Sequence, residues 1–160
     1  MRRAEVASDD TVLMEGVRIV FRNFEGKEGP YNKAGDRNFA VILTPEVANA
    51  MADDGWNVKW LKPREEDEGE EEVPYLPVSL RYDVFPPNVT LVTSNSRTQL
   101  DESTVEMLDY ADITNVDLIV RPYEWSVNGK GGIKAYVKTM FVTIEEDALV
   151  RKYSQGPDDG

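Results

Sequence analysis

Neither cysteine nor histidine occurs among the 160 residues. Their absence excludes disulfide scaffolds, thiol nucleophiles, Cys/His zinc sites and every triad that needs an imidazole. Hydrolytic chemistry would have to rest on carboxylates around a hard metal ion, or on Lys or Tyr as base. No apolar run approaches the ~20 residues of a membrane span. Met1-Arg2-Arg3-Ala4-Glu5 lacks the apolar stretch that follows in a secretory signal, so the expected compartment is the cytoplasm. A surplus of positive charge is missing too: 18 Lys plus Arg stand against 30 Asp plus Glu, a net −12. Taken whole, that balance argues against phosphate binding, which draws on Lys and Arg.

What is present changes the picture. Hydrophobic residues make up 41% and aromatics 9%, enough to fill the core of one domain and to exclude disorder of the whole chain. The negative charge is concentrated. Glu65 to Glu72 (EEDEGEEE) carries seven carboxylates, and others cluster at Asp101–Asp112 and in the tail at Asp158-Asp159. Two stretches are basic instead. Segment 121–138 holds Arg121, Lys130, Lys134 and Lys138 against Glu124 alone. Segment 16–37 holds Arg18, Arg22, Lys27, Lys33 and Arg37 against Glu25, Glu28 and Asp36.

Residues 1–15 lack a period and read as a flexible lead-in. From Gly16 the chain alternates, with Val17, Ile19 and Phe21 on one face, which predicts a half-buried strand. The glycine-bearing stretch 25–36 reads as a flexible loop leading to a strand with Phe39, Val41 and Leu43 inward. Thr44-Pro45 reads as the cap and first position of a short helix that ends before Gly55. Residues 62–74 form an acidic loop, with strands resuming at Pro77–Tyr82 and Val89–Thr93. Ser103-Thr104-Val105-Glu106 fits a capping box opening a second short helix. Two long β-type runs, Val116–Val127 and Ile133–Ile144, flank the turn Asn128–Gly132. The last residues, 151–160, form a polar, acidic tail. The expected class is therefore mostly β with minor α: one domain over 16–150, an OB-fold-like antiparallel barrel with two short helices and a long C-terminal β-hairpin.

No acid, base or nucleophile constellation emerges, and Asp9-Asp10 and Asp53-Asp54 lack the third partner a metal ion needs. No catalysis, metal or cofactor is expected. The final hairpin is more informative. Lys134, Tyr136 and Lys138 share one face of its return strand, with Ala135, Val137 and Thr139 on the other. On the outgoing strand Arg121, Tyr123 and Trp125 share a parity. A face mixing cations and rings suits single-stranded nucleic acid, since cations follow the phosphates and rings stack on bases. A second set precedes it in the chain: Arg18, Arg22, Phe24, Lys27, Tyr31, Lys33 and Arg37. With Arg121, Tyr123, Trp125, Lys130, Lys134, Tyr136 and Lys138 these form the candidate DNA-binding residues. Gly26-Lys27-Glu28-Gly29 matches the KH clamp only superficially, because that clamp joins two helices.

Phe21-Arg22-Asn23-Phe24 with its glycine-rich loop, Arg37-Asn38-Phe39, Gly55-Trp56-Asn57-Val58-Lys59, Leu61-Lys62-Pro63, Pro122-Tyr123-Glu124-Trp125 and Gly132-Ile133-Lys134-Ala135-Tyr136 occur in an order that resembles the single-stranded DNA-binding proteins of tailed bacteriophages. The resemblance runs over roughly residues 16–148. It implies an OB fold, binding of single-stranded DNA with little sequence preference, and a role in phage replication or recombination in the cytoplasm of the infected bacterium, beside other replication or recombination proteins. It implies neither cofactor nor catalysis. The chain departs from single-strand binders that end in an acidic tail with an apolar tip, since it closes on Asp158-Asp159-Gly160 and carries its acidic run internally. That run reads as a shield over the DNA face when DNA is absent. Homo-oligomerisation through an edge strand is left open. The rival readings are an acidic DNA mimic that inhibits a nucleic-acid-binding enzyme, which −12 would suit, and a carboxylate-metal nuclease.

Overall fold

The structure, a computed structural model, describes residues 11–63, 69, 71–83 and 86–145. The lead-in before Thr11, most of the acidic run and the tail lie outside the described residues.

Strands β1 (Val12–Val17) and β2 (Ile19–Asn23) are one stretch of chain bent at Arg18. The first strand therefore begins at Val12, inside the expected lead-in. Its alternation is hard to read because Gly16 takes φ 61 and the register against its partner shifts between Met14 and Val17. Strand β3 (Arg37–Ile42) leads to helix α1 (Pro45–Asp53), and the short β4 (Lys59–Leu61) precedes β5 (Val73–Leu80). Strands β6 (Asn88–Val92) and β7 (Arg97–Leu100) form a small hairpin. The long pair β8 (Ile113–Val127) and β9 (Lys130–Ile144) closes the chain.

The main path runs β1-β8-β9-β5-β3-β2. Its two ends are joined covalently through Arg18, so one bent strand pairs with β8 on one side and β3 on the other. This is the partly open Greek-key barrel of the OB type. The pairing is not wholly antiparallel: β9 runs parallel to β5 at Val78↔Ala135 and Ser79↔Tyr136, and parallel to β6 farther along.

The barrel forms because each strand sends alternate apolar side chains inward. Phe39 and Val41, then Leu76, Val78 and Leu80, then Val116, Leu118 and Val120 are all buried. On β9 the buried set is Ala135 and Val137, then Met140 and Val142. The parity changes because Ile119 faces Thr139 while Val120 faces Val137, which leaves Lys138 as the extra residue of a bulge. Thr139 consequently shares the outer face, not that of Val137.

Helix α1 is as expected: the Thr44 hydroxyl accepts the Val47 N–H at 3.3 Å, Pro45 opens the helix, and Ala48, Ala50 and Met51 are buried. After Gly55 the chain returns to the sheet, where Asn57 N–H donates to the Ile133 carbonyl at 2.9 Å and Ile133 N–H to Gly55 at 2.8 Å. The second helix is instead a 3-10 helix, Val105–Asp109, and the Thr104 side chain does not cap it. Asp101 organises the turn before it, accepting from the backbone N–H of Ser103 at 2.9 Å and of Thr104 at 3.1 Å. These bonds, with the Ser103 and Thr104 hydroxyls foremost, hold the Asp101 carboxyl below its ordinary range.

Candidate nucleic-acid interface

The register of the long hairpin decides which of its side chains meet. Arg121 lies opposite Tyr136, Tyr123 opposite Lys134, and Trp125 opposite Gly132. All point away from the core, since Val120, Ala135 and Val137 are buried between them. The row continues across the sheet: Tyr136 is beside Ser79, and Ser79 is opposite Asn38. Tyr123 and Tyr136 meet edge to face with centroids 5.8 Å apart, and Tyr123 keeps 53% of its surface exposed.

Two glycines shape the outer end of this arm. A Cβ at Gly132 would lie 3.1 Å from the Trp125 Nε1 and 3.3 Å from Cε2, so the indole rests directly on the backbone there. A Cβ at Gly131 would lie 2.8 Å from the Trp125 carbonyl. The turn itself, with Asn128 at φ 52 and Gly129 at φ 80, has the two left-handed residues of a tight hairpin whose twist matches its strands.

Against the inner end of the arm lies a groove of about 390 Å³. Gly35 to Asn38 form one wall, Ser79 to Asp83 the floor, Lys134 and Tyr136 the other wall, and Glu102 one end. Its cations are held differently. Arg37 donates to the Phe24 carbonyl at 2.6 Å, faces Glu102 at 3.7 Å and stands 6.0 Å from the Tyr82 ring centre. Arg81 forms a fork with Asp83 at 3.1 and 2.8 Å. That carboxylate first, and then Tyr136, keep Arg81 charged beyond its already high range. Lys134 is exposed and has no carboxylate partner among the described residues. Tyr82 is half-buried under the groove; burial pushes its phenol up to about 12, with Arg37 pulling the other way.

The loop between β2 and β3 is built from side-chain amides. The Asn32 Nδ2 lies 2.9, 3.1 and 3.1 Å from the carbonyls of Lys27, Lys33 and Asp36. Asn23 exchanges two bonds with Lys27, and Asn38 donates to the Asn32 Oδ1 at 2.7 Å. The loop is anchored to the 3-10 helix, where Asp109 accepts the N–H of Phe24 at 2.6 Å and of Glu25 at 3.0 Å. The flexible connector expected from composition is thus a bonded platform.

The structure divides the candidate residues. Arg37, Lys134 and Tyr136 line the first groove, and Arg121, Tyr123 and Trp125 continue its outer face. Lys130 is exposed at the turn, Lys138 occupies the bulge, and Lys33 is exposed on the loop. Lys27 and Tyr31 lie on the other side of the loop, beside a separate groove, and Arg18 is exposed at the strand bend. One residue is corrected, and another is tied to the backbone while staying exposed. Phe24 is 0% exposed and stacks on Phe39 at 5.2 Å, so its ring fills the core, where burial stabilises by about 1.5–3 kcal/mol. Arg22 donates at 2.8 Å to the carbonyls of both Leu108 and Ala111, closing the end of the 3-10 helix.

Sequence reasoning overlooked Asn38, Arg81, Tyr82, Phe21 and Tyr110. It placed Phe21 on the face of Val17 and Ile19 by alternation. Phe21 instead sits in a bulge between Val20 and Asn23, with φ 53 and 57% of its surface exposed. A left-handed backbone costs a bulky residue about 1–2 kcal/mol. No local signal in the sequence announces that bulge.

The family model described as "Putative phage ssDNA-binding domain" matches residues 2–159. No curated protein sequence matches the chain. Among solved structures, the single-stranded DNA-binding protein from bacteriophage Enc34 in complex with ssDNA aligns with TM-score 0.57 at 10% identity, covering 92% of this chain and 93% of that one. A C-terminal truncation of the same protein aligns with TM-score 0.55, again at 10% identity and over 92% and 93% of the two chains. At that identity the likeness is one of fold.

Proposed function

The chain belongs to the phage ssDNA-binding domain family, and we propose that it binds single strands irrespective of sequence along the outer face of β3, β5, β9 and β8. The observation that carries this is the hairpin register: Arg121 beside Tyr136, and Tyr123 beside Lys134, at the edge of a groove whose opposite wall holds Arg37. Bases stack on Tyr136, Tyr123 and Trp125, while Lys134, Arg121 and the guanidinium groups of the groove meet phosphates. Each stacked base is worth about 1–3 kcal/mol and tolerates any sequence, because every base has a π face. In a duplex those faces are already stacked, so paired DNA should bind less well.

The net charge of −12 does not oppose this reading, because Lys134 is exposed and forms no ion pair among the described residues. The acidic-mimic alternative would need ordered carboxylates over a surface, whereas groove carboxylates such as Asp83 and Glu102 are spent on the groove's own arginines. The role is one of coating and protecting strands during phage replication or recombination, inside the infected host. No helix among the described residues is long and apolar enough to cross a membrane. Coating requires no chemistry of the bound strand, so degradation of DNA in Mg²⁺ would count against it.

The test is fluorescence anisotropy with labelled oligo-dT and with a duplex of equal length, across a salt series. Binding to the single strand that weakens with salt, and that falls about tenfold in Tyr123→Ala and Lys134→Ala, is the expected result. Equal affinity for duplex and single strand, or no change in these variants, would refute it.

A further inference from the structure

A second groove, of about 530 Å³, opens on the other side of the loop between β2 and β3. Three rings surround it, each from a different element: Phe21 from the β2 bulge, Tyr31 from the turn Gly29–Asn32, and Tyr110 from the residue after the 3-10 helix. Tyr31 is 101% exposed and Tyr110 75% exposed, so folding buries little of either ring. Both are nonetheless held in place. The Tyr31 turn is closed by reciprocal backbone bonds between Gly29 and Asn32 at 2.9 and 3.2 Å, and Tyr110 N–H donates to the Met107 carbonyl at 3.2 Å. Phe21 is held outward at φ 53, its ring touching Tyr75 edge to face at 5.5 Å and otherwise exposed. A strained backbone that presents an exposed ring points to a use outside the chain's own packing.

The two grooves meet at Asn38, which lines both. Their chemistry differs. In the second groove Lys27 and Arg22 are matched by Glu25 and Glu28, and Asp109 already accepts two backbone N–H groups. A groove of rings without a surplus of cations takes bases in preference to phosphates. We propose that it is a second base-stacking subsite: the single strand leaving the first groove passes Asn38 and lays its next bases on Phe21, Tyr31 and Tyr110. This rests on the single-strand reading above and adds a direction and a length to it.

The test uses the full chain and oligo-dT from about 4 to about 16 nucleotides, the range of OB site sizes. Two variants remove rings without removing core: Tyr110→Ser, and Phe21→Asn, which accepts the left-handed backbone and so offsets the loss of the Tyr75 ring contact. The wild type should gain affinity in a second step as the oligonucleotide lengthens. Both variants should bind the shortest oligonucleotides within about twofold of wild type and lose about tenfold on the longest. The second step should also add little to the salt slope, since few phosphates are neutralised there. Identical length dependence in wild type and variants overturns the subsite and leaves the first groove standing, and so does equal weakening at every length. Failure of the wild type to bind any length overturns both readings together.

Discussion

Two glycine-bearing connections contribute to the groove, the loop 24–36 and the arm 121–136, and they are ordered by opposite means. The arm is a ladder: each residue is held by its cross-strand partner from Arg121↔Tyr136 to Val127↔Lys130, and its side-chain faces follow from strand period. The loop has almost no ladder. Its backbone carbonyls converge on the amide of Asn32, and its start is pinned by Asp109, which is 85 residues away from Phe24. A ladder makes a face of repeating side chains, suited to a polymer with repeating bases. A polar knot makes a wall that keeps its shape without a repeating pattern.

The largest expected effect comes from breaking the loop alone. Asp109→Ala leaves the Phe24 and Glu25 N–H groups without their acceptor and should cost about 2–3 kcal/mol of stability. Hydrogen exchange should accelerate through 24–36 while 121–136 keeps its protection; equal acceleration in both would show that they are not independently ordered. Breaking the arm alone should affect binding more than folding. Gly132→Ala pushes the Trp125 ring off the backbone, and single-strand affinity should fall by roughly the worth of one stacked base, about 1–3 kcal/mol, with little change in Tm. Unchanged affinity and Trp fluorescence would remove Trp125 from the interface.

Smaller effects sharpen the ground between the two. Glu102→Gln releases Arg37 from its exposed partner 3.7 Å away. Oligo-dT should then bind a few-fold tighter at low salt, with the slope of log K against log salt steeper by about 0.7. An unaltered slope would mean that Arg37 meets no phosphate. Tyr82 gives the smallest effect. Its hydroxyl is buried with no hydrogen-bond partner among the described residues, and its phenol is pushed up to about 12. The unfolded chain ionises first, at about 10, so stability should fall as pH rises from there through about 12. Tyr82→Phe should abolish that decline and, at neutral pH, stabilise by up to about 1 kcal/mol. Persistence of the alkaline decline would assign it to another group.

Legibility in the sequence followed the same division. The arm could be read residue by residue, because period two survives from Arg121 to Trp125 and from Lys134 to Tyr136. Only its parity beyond Val137 was lost, at the Lys138 bulge. The loop could not be read. Its Gly, Asn and Lys suggest mobility, and nothing local shows that Asn32 reaches three carbonyls or that Arg22 is committed to the end of a distant helical turn. Phe24 and Phe21 exchanged roles for the same reason: a bulge shifts which side chain points inward, and its position depends on the partner strand.

By itself the sequence determined the β-rich class, the long hairpin and the place of its turn, the capped first helix, and the alternation of cations and rings along one face. All of these depend on residues near one another in the chain. The tertiary structure alone decided that β1 and β2 act as one bent strand closing the barrel, that Arg37 and Tyr136 share a groove, and that Arg37 and Arg81 are held by Glu102 and Asp83. It also decided that Phe21 and Tyr110 share a second groove. Those arrangements depend on strand register and on bulges between segments far apart in the chain, and register is set by how the whole core packs, not by local residue preference.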